Sequence, residues 1–164
     1  MFRSGIGYDA HRFGEGRKLI LGGVEIPQAR GLEGHSDADV LTHAIADALL
    51  GAVGERDIGH HFPNTDESIR GISSLEILRR VGEILAAKKC RVVNVDATLI
   101  AEAPKIGPRL DAMRSRISAA LGIDLSRVGI KATTNEGMGA LGRGEGMAAL
   151  AVASVEQEES AASA

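Results

Sequence analysis

Three stretches of this chain carry side chains that could do metal or phosphate chemistry. In Phe2-Arg3-Ser4-Gly5-Ile6-Gly7-Tyr8-Asp9-Ala10-His11-Arg12-Phe13 the alternation suits a β-strand, so Asp9 and His11 point to one face and Ala10 to the other. In Gly34-His35-Ser36-Asp37-Ala38-Asp39-Val40-Leu41-Thr42-His43 and onward to Gly51, Asp39, His43 and Asp47 recur four apart, which places an imidazole between two carboxylates on one helical stripe. Asp9, His11 and His43 together would offer a borderline metal such as Zn²⁺ one oxygen and two nitrogens. Three protein ligands with a fourth tetrahedral position free is the pattern of a catalytic rather than a structural zinc site. Each piece also has a plainer reading, a hydrogen-bonded surface Asp/His pair on the strand and a boundary histidine satisfied by a carboxylate on the helix.

The third stretch runs from Lys131-Ala132-Thr133-Thr134-Asn135-Glu136 into a glycine-rich segment that contains Arg143 and Glu145 and ends at Gly146. Hydroxyls, backbone N–H groups in glycine turns and a carboxylate for Mg²⁺ are what a diphosphate needs, although each residue also serves as a turn former or a surface ion pair. Gly137, Gly139 and Gly142 spell G-x-G-x-x-G after a strand, yet the 22 residues that follow are too few for the rest of a dinucleotide-binding βαβ unit and its acidic ribose ligand.

The elements that must position these groups follow from periodicity. Val40, Leu41, Ala44, Ile45, Ala48 and Leu49 predict an amphipathic helix, with Ser36 as N-cap and Asp39 over the first turn. Leu19 to Pro27 predicts a hairpin turned by Gly22 and Gly23. Glu55 to Asp66 is long, polar and broken by Gly59 and Pro63, the kind of connection that tends to be functional; its His60-His61 pair is read as two partly exposed histidines. Ser73 or Ser74 caps a helix to about Lys89, Arg91 to Ala101 forms a central strand, and Arg109 to Leu121 forms a helix stopped by Gly122. Between them, Ala101 to Pro108 is a rigid loop with two prolines that could line a pocket or start the helix. Val128 to Thr134 and Met147 to Val155 complete the strands.

Composition narrows the partners. Of 164 residues 44% are hydrophobic and 25% charged, with a net charge of -3, which argues against a disordered chain, a membrane span or a polyanion binder. Three Phe, one Tyr and no Trp leave nothing for base stacking, so nucleic acid is not expected. One cysteine excludes an internal disulfide, and the start has no apolar run of a signal peptide; the expectation is a cytoplasmic protein with a single domain over residues 1–157 and a frayed tail over 158–164.

In combination these motifs resemble the 2-C-methyl-D-erythritol 2,4-cyclodiphosphate synthase family. The resemblance rests on Asp9-Ala10-His11, Gly34 to Val40, Asp57-Ile58-Gly59 with Phe62-Pro63, Ala101 to Lys105, and Lys131 to Thr134 through Gly142-Arg143-Gly144-Glu145-Gly146. It implies an α+β fold with a mixed sheet of about four core strands plus a small hairpin, helices on one face, and a homotrimer with active sites between protomers. The implied reaction is attack of the 2-phosphate of a CDP-linked methylerythritol on the β-phosphorus of its own diphosphate, releasing CMP, in the non-mevalonate isoprenoid pathway. The implied metals are Zn²⁺ or another divalent transition metal on Asp9, His11 and His43, and Mg²⁺ or Mn²⁺ with Glu136. His35 and Thr134 match transition-state stabilisers. Ser36, Asp57, Ile58, Gly59, Phe62, Pro63, Asn64, Thr65 and Asp66 match the methylerythritol side. Ala101, Glu102, Ala103, Pro104, Lys105, Ile106, Gly107, Ala132, Thr133 and Asn135 match the cytidine side, and Arg143 a phosphate position in a trimer-axis cavity. Three positions depart from the family: Asn64 for Asp, Tyr8 for Phe, and Ala140 for a larger aromatic, which weakens apolar contact in that cavity. Two other classes share parts of the pattern. A zinc hydrolase or deaminase could use the same three ligands, but H-x-E with P-C-x-x-C is missing and no obvious general base accompanies them, and a non-catalytic nucleotide-binding module would have no use for an open zinc position.

Overall fold

A computed structural model describes residues 1–28 and 30–158; most of the expected tail lies outside them. In chain order the elements are β1 (Phe2–Gly14), β2 (Leu19–Leu21), β3 (Val24–Ile26), β4 (Gly31–Leu32), α1 (Val40–Ala52), α2 (Ile58–His61), α3 (Ser74–Ala87), β5 (Cys90–Ile100), α4 (Leu110–Leu121), β6 (Val128–Thr133), α5 (Gly139–Gly142) and β7 (Gly146–Gln157). The main sheet has the order β4-β1-β7-β5-β6 and is mixed: β5 and β6 run parallel, and the other pairs are antiparallel. Four long strands were expected, and the two-residue β4 at the edge is an addition. β5 has neighbours on both sides, but β7 holds the middle.

The helices form one layer on one face. α1 lies across β1 and β7, α3 covers α1 and β5, and α4 packs on α3 and β6. The expectation of an amphipathic α1 with a polar stripe needs correction, because it is buried on nearly every side, His43 and Thr42 included. A helix enclosed between sheet and helix has no solvent face to keep polar. Its contact with β1 is unusually close: a Cβ at Gly7 would sit 2.0 Å from the Ala44 carbonyl oxygen, so only glycine lets the two backbones meet there.

The β2–β3 hairpin turns through Gly22 and Gly23, both left-handed as a type I′ turn requires. It is fastened to α1 by Asp39. That carboxylate is fully buried and accepts from Gly22 N (3.0 Å), Gly23 N (2.7 Å), Thr42 N (3.1 Å) and Thr42 Oγ1 (2.8 Å). Asp39, not Ser36, is therefore the N-cap of α1. On the other face of the sheet Phe2, Ile6, Tyr8, Leu150 and Val152 stand exposed, Phe2 by 70% and Ile6 by 68%. The register sets Ile6 beside Val152 and Tyr8 beside Leu150, which makes one continuous apolar patch.

Candidate active site

β1 directs Asp9 and His11 toward the helix layer, and α1 brings His43 onto them. Asp9 Oδ2 lies 2.9 Å from His11 Nε2 and 2.9 Å from His43 Nδ1, and the two nitrogens are 3.4 Å apart. A tetrahedral ion with bonds of about 2.0–2.1 Å sets its ligand atoms about 3.3 Å apart; the two nitrogens hold that spacing, and the carboxylate oxygen sits about 0.4 Å closer to each. Among the described residues this is the group of His, Cys, Asp and Glu side chains gathered closely enough for a metal. Burial would raise the Asp9 carboxyl, but the hydrogen bonds and charges of His11 and His43 hold it well below the ordinary carboxylate range. Burial would lower His43, yet the Asp9 hydrogen bond and charge, with Asp39 and Asp37 behind, keep it above its ordinary value.

Asp39 and Asp47 do not flank His43 as the helical stripe suggested. Asp39 is turned to the hairpin, and Asp47 accepts from Ile58 N (2.8 Å), fixing the start of α2. The other ring nitrogen of His43 meets two hydroxyls instead, Ser74 Oγ at 2.9 Å and Ser36 Oγ at 3.1 Å. The loop before α1 is gripped from both sides. Arg17 donates to Gly34 O and Ser36 O, each at 2.6 Å, and Asp37 accepts from the N–H of Ser74 (2.9 Å) and from its hydroxyl. Ala38 takes a left-handed conformation inside this loop (φ 56°), a local cost that the surrounding bonds sustain.

Asp9, His11, His35, Ser36, His43, Asp57, Ile58, Gly59, Phe62, Asn64 and Asp66 line one cavity of about 560 Å³. Pro63 and Thr65 sit in the same segment, exposed and outside its lining. His60 is exposed and His61 half-buried beside Glu55, close to the reading of two partly exposed histidines.

The second set of residues gathers elsewhere. Ala101 N donates to Thr133 O (3.0 Å), and Glu102 Oε1 accepts from Asn135 N (2.9 Å) and Gly137 N (3.3 Å), which joins the loop after β5 to the loop after β6. Ala103–Pro104 is cis, Ile106 is buried, and Lys105, Gly107, Ala132 and Thr133 are exposed. Pro108 is the second residue of a 3₁₀ turn, Gly107–Arg109, that leads into α4. Thr134 Oγ1 donates to Glu136 (2.7 Å), and Glu136 is left-handed at φ 51°. Arg143 pairs with Glu145 at 2.6 Å. Of the fingerprint glycines, Gly139 and Gly142 bound the four-residue α5 and Gly137 lies in the turn before it, which is not a βαβ unit. None of these residues lines the cavity. The register aligns Ala10, Ala148, Ile100 and Thr133 across the sheet, three strand spacings or about 14 Å from β1 to β6 within one chain.

The model of the YgbB family matches residues 2–156. The chain belongs to the YgbB family. Among its relatives are 2-C-methyl-D-erythritol 2,4-cyclodiphosphate synthases of Alkaliphilus metalliredigens, 61% identical over 94% of this chain and 98% of the relative, and of Symbiobacterium thermophilum, 62% identical over 91% and 95%. Solved structures agree. IspF of Plasmodium falciparum in a CDP complex superposes with a TM-score of 0.83 at 33% identity, over 96% of this chain and 97% of that one. The bifunctional IspDF of Campylobacter jejuni gives 0.92 at 39% identity over 97% of this chain, which spans 43% of that longer protein. YgbB membership confirms the α+β architecture and the family read from the motifs.

Sequence reasoning missed Ser74 and Arg17, which hold the loop and His43. Ser74 reads from the sequence only as a possible helix cap and nothing local marks Arg17, because their partners lie 31 and 17 residues away.

Proposed function

We propose that the chain, through a synthase domain over residues 1–157, converts 4-diphosphocytidyl-2-C-methyl-D-erythritol 2-phosphate to 2-C-methyl-D-erythritol 2,4-cyclodiphosphate in the cytoplasm. An oxygen of the 2-phosphate forms a bond to the β-phosphorus, the bond from that phosphorus to the bridging oxygen breaks, and CMP leaves with the electron pair. The observation that carries this reading is the three-ligand cluster of Asp9, His11 and His43, open to a cavity that His35 and Ser36 also line, in a chain of this family.

The nucleophile is already an anion, so the protein needs no strong base. It has to fold the substrate and offset charge. Asp9, His11 and His43 would hold Zn²⁺ or another divalent transition metal, and Glu136 would hold Mg²⁺ or Mn²⁺. Divalent ions in those places supply charge stabilisation and polarise phosphate oxygens. Ser36, Asp57 to Gly59 and Phe62 to Asp66 orient the methylerythritol phosphate, and His35 donates toward the phosphate that lines up for attack. The 101–107 loop with Ala132, Thr133 and Asn135 receives the cytidine, a role supported by the CDP complex of the Plasmodium falciparum relative. Thr134 stands beside Glu136 to steady the diphosphate.

The two halves are completed between copies of the chain. The uncovered apolar face of β1 and β7 is the kind of patch that a partner covers, and a heterologous contact that closes into a ring of three would bring one protomer's 101–107 loop to its neighbour's cavity. Arg143 would then face the trimer axis. The test mixes two inactive variants, His43→Ala and Glu136→Ala, by co-refolding and follows CMP release. With random assembly roughly a quarter of sites pair an intact metal side with an intact nucleotide side, so about a quarter of wild-type activity returns. No recovery in subunit-exchanged trimers would refute the shared site. No turnover of this substrate by the wild-type, metal-loaded protein would refute the function.

A further inference from the structure

We propose that Ser74 is a positioning residue of the metal site, and that with Asp37 it dictates which nitrogen of His43 faces the metal. The inference rests on the metal reading of Asp9, His11 and His43. His43 presents Nδ1 to Asp9 and His11 and Nε2 to the hydroxyl of Ser74, 2.9 Å away. Ser74 is fully buried, at the first position of α3, so no water competes for its hydroxyl. Its O–H is already committed. Asp37 takes it, and the same carboxylate takes the Ser74 backbone N–H at 2.9 Å. A carboxylate offers acceptors only, so the hydroxyl hydrogen points to Asp37 and the oxygen can only accept from the imidazole. His43 must therefore carry its hydrogen on Nε2, which leaves the Nδ1 lone pair free for a metal.

Ser36 is the rival. Its Oγ lies 3.1 Å from the same nitrogen, but it is also engaged by Ala38 N–H at 3.1 Å, and no carboxylate fixes its own hydrogen. Ser74 belongs to α3, whose preceding residues 62–73 run past the cavity, and Asp37 N reaches Ile72 O while Gly71 N reaches His35 O. The pair thus joins the metal ligand, the His35 loop and the cavity wall in one network.

The experiment measures zinc affinity by competition with a chromophoric chelator, alongside the melting temperature of the metal-free full chain. Loss of an outer partner of this kind weakens a metal site by about 10- to 100-fold, so Ser74→Ala falls in that range. Ser74→Thr, which keeps the hydroxyl, returns to near wild-type affinity. Ser36→Ala changes it less than Ser74→Ala does. In NMR spectra of the zinc-loaded protein the His43 Nε2 proton exchanges with water faster in Ser74→Ala. If either Ser74 variant melts out, Asp37→Asn decides: an amide that donates to Ser74 frees the hydroxyl to point at His43 and weakens zinc as well. Zinc affinity unchanged in Ser74→Ala, or unchanged in Asp37→Asn when Ser74→Ala does not fold, overturns the proposal; so does a loss seen only in Ser36→Ala. A wild-type chain that binds no zinc would instead overturn the metal reading beneath it.

Discussion

Replacing Gly7 by alanine tests whether the proposed metal site depends on how closely α1 lies on β1. The new Cβ would stand 2.0 Å from the Ala44 carbonyl oxygen and 2.7 Å from the Ala48 nitrogen. Both are backbone atoms of a hydrogen-bonded helix, so no rotamer change relieves them. To restore an ordinary contact of 3.4 Å the helix must retreat by about 1.4 Å. Overpacking a core costs about 1–3 kcal/mol, and the retreat also loosens Leu41, Ile45 and Leu49, all fully buried, so the expected loss lies at the upper end, about 3 kcal/mol. In a domain of this size that is a fall in melting temperature of about 6–12 °C. The effect on the site is steeper. His43 adjoins Ala44 and would move with it, away from Asp9 and His11 on β1, whereas metal–ligand distances tolerate only about 0.2 Å. Zinc affinity should therefore collapse in protein that still melts cooperatively. Differential scanning calorimetry of the metal-free form and chelator competition measure the two effects. A variant that melts within about 1 °C of wild type and binds zinc normally would refute the claim that this contact sets the geometry.

Other outcomes follow from neighbouring features. Gly51→Ala, on the same helix, meets nothing closer than Ile6 O at 3.8 Å, so it should leave zinc binding intact and gain up to about 1 kcal/mol by thermal or urea unfolding. His43→Ala should abolish zinc binding and turnover in a chain whose far-ultraviolet circular dichroism remains folded; a zinc-replete, active variant would remove the site. Asp39→Ala leaves the Gly22 and Gly23 N–H groups without their acceptor and should cost about 3 kcal/mol in urea, a loss that a change below about 1 kcal/mol would contradict. His43 is held above its ordinary 6.5, so its stabilising proton is present below that pH and is lost as pH rises through the higher folded value. Metal-free protein should thus melt lower as pH is raised from about 6 to 9, whereas zinc affinity should rise because binding displaces the proton; a metal-free melting temperature that climbs over that range would contradict the assignment.

What could be read from the chain was whatever local periodicity controls. Asp9 and His11 share a face because a strand has period two, and β1 is one; the apolar spacing from Val40 to Leu49 is helical, and α1 runs there. The hairpin at Gly22-Gly23 and the stop at Gly122 follow from backbone conformations that glycine adopts easily. Residues whose roles depend on distant partners were not legible. Asp39 reads as a first-turn carboxylate, but it is the cap that accepts from Thr42 N, and the hairpin seventeen residues earlier, which buries it, could not be read from its neighbours. Ser74 reads only as a possible helix cap, a place that Ser73 takes, and only tertiary packing sets it against His43. Strand order was equally hidden: nothing in Met147 to Val155 says that it lies between β1 and β5.

That placement of β7 has a consequence for synthesis on the ribosome. β1 pairs with β7 along Phe2 to Arg12, and β5 pairs with the other edge of β7. Until Gly146 to Gln157 have emerged, the sheet exists only as β1 with its two-residue neighbour β4 and as the parallel pair β5–β6, fragments too narrow to persist alone. At about 5–20 residues per second, β1 waits roughly seven to thirty seconds for its main partner. Asp9 and His11 wait with it, so their cluster with His43 settles after translation of the central strand rather than during it. A nascent chain interrupted before Gly146 would present two unpaired strand edges, a substrate for chaperones and proteases and not a smaller version of the enzyme.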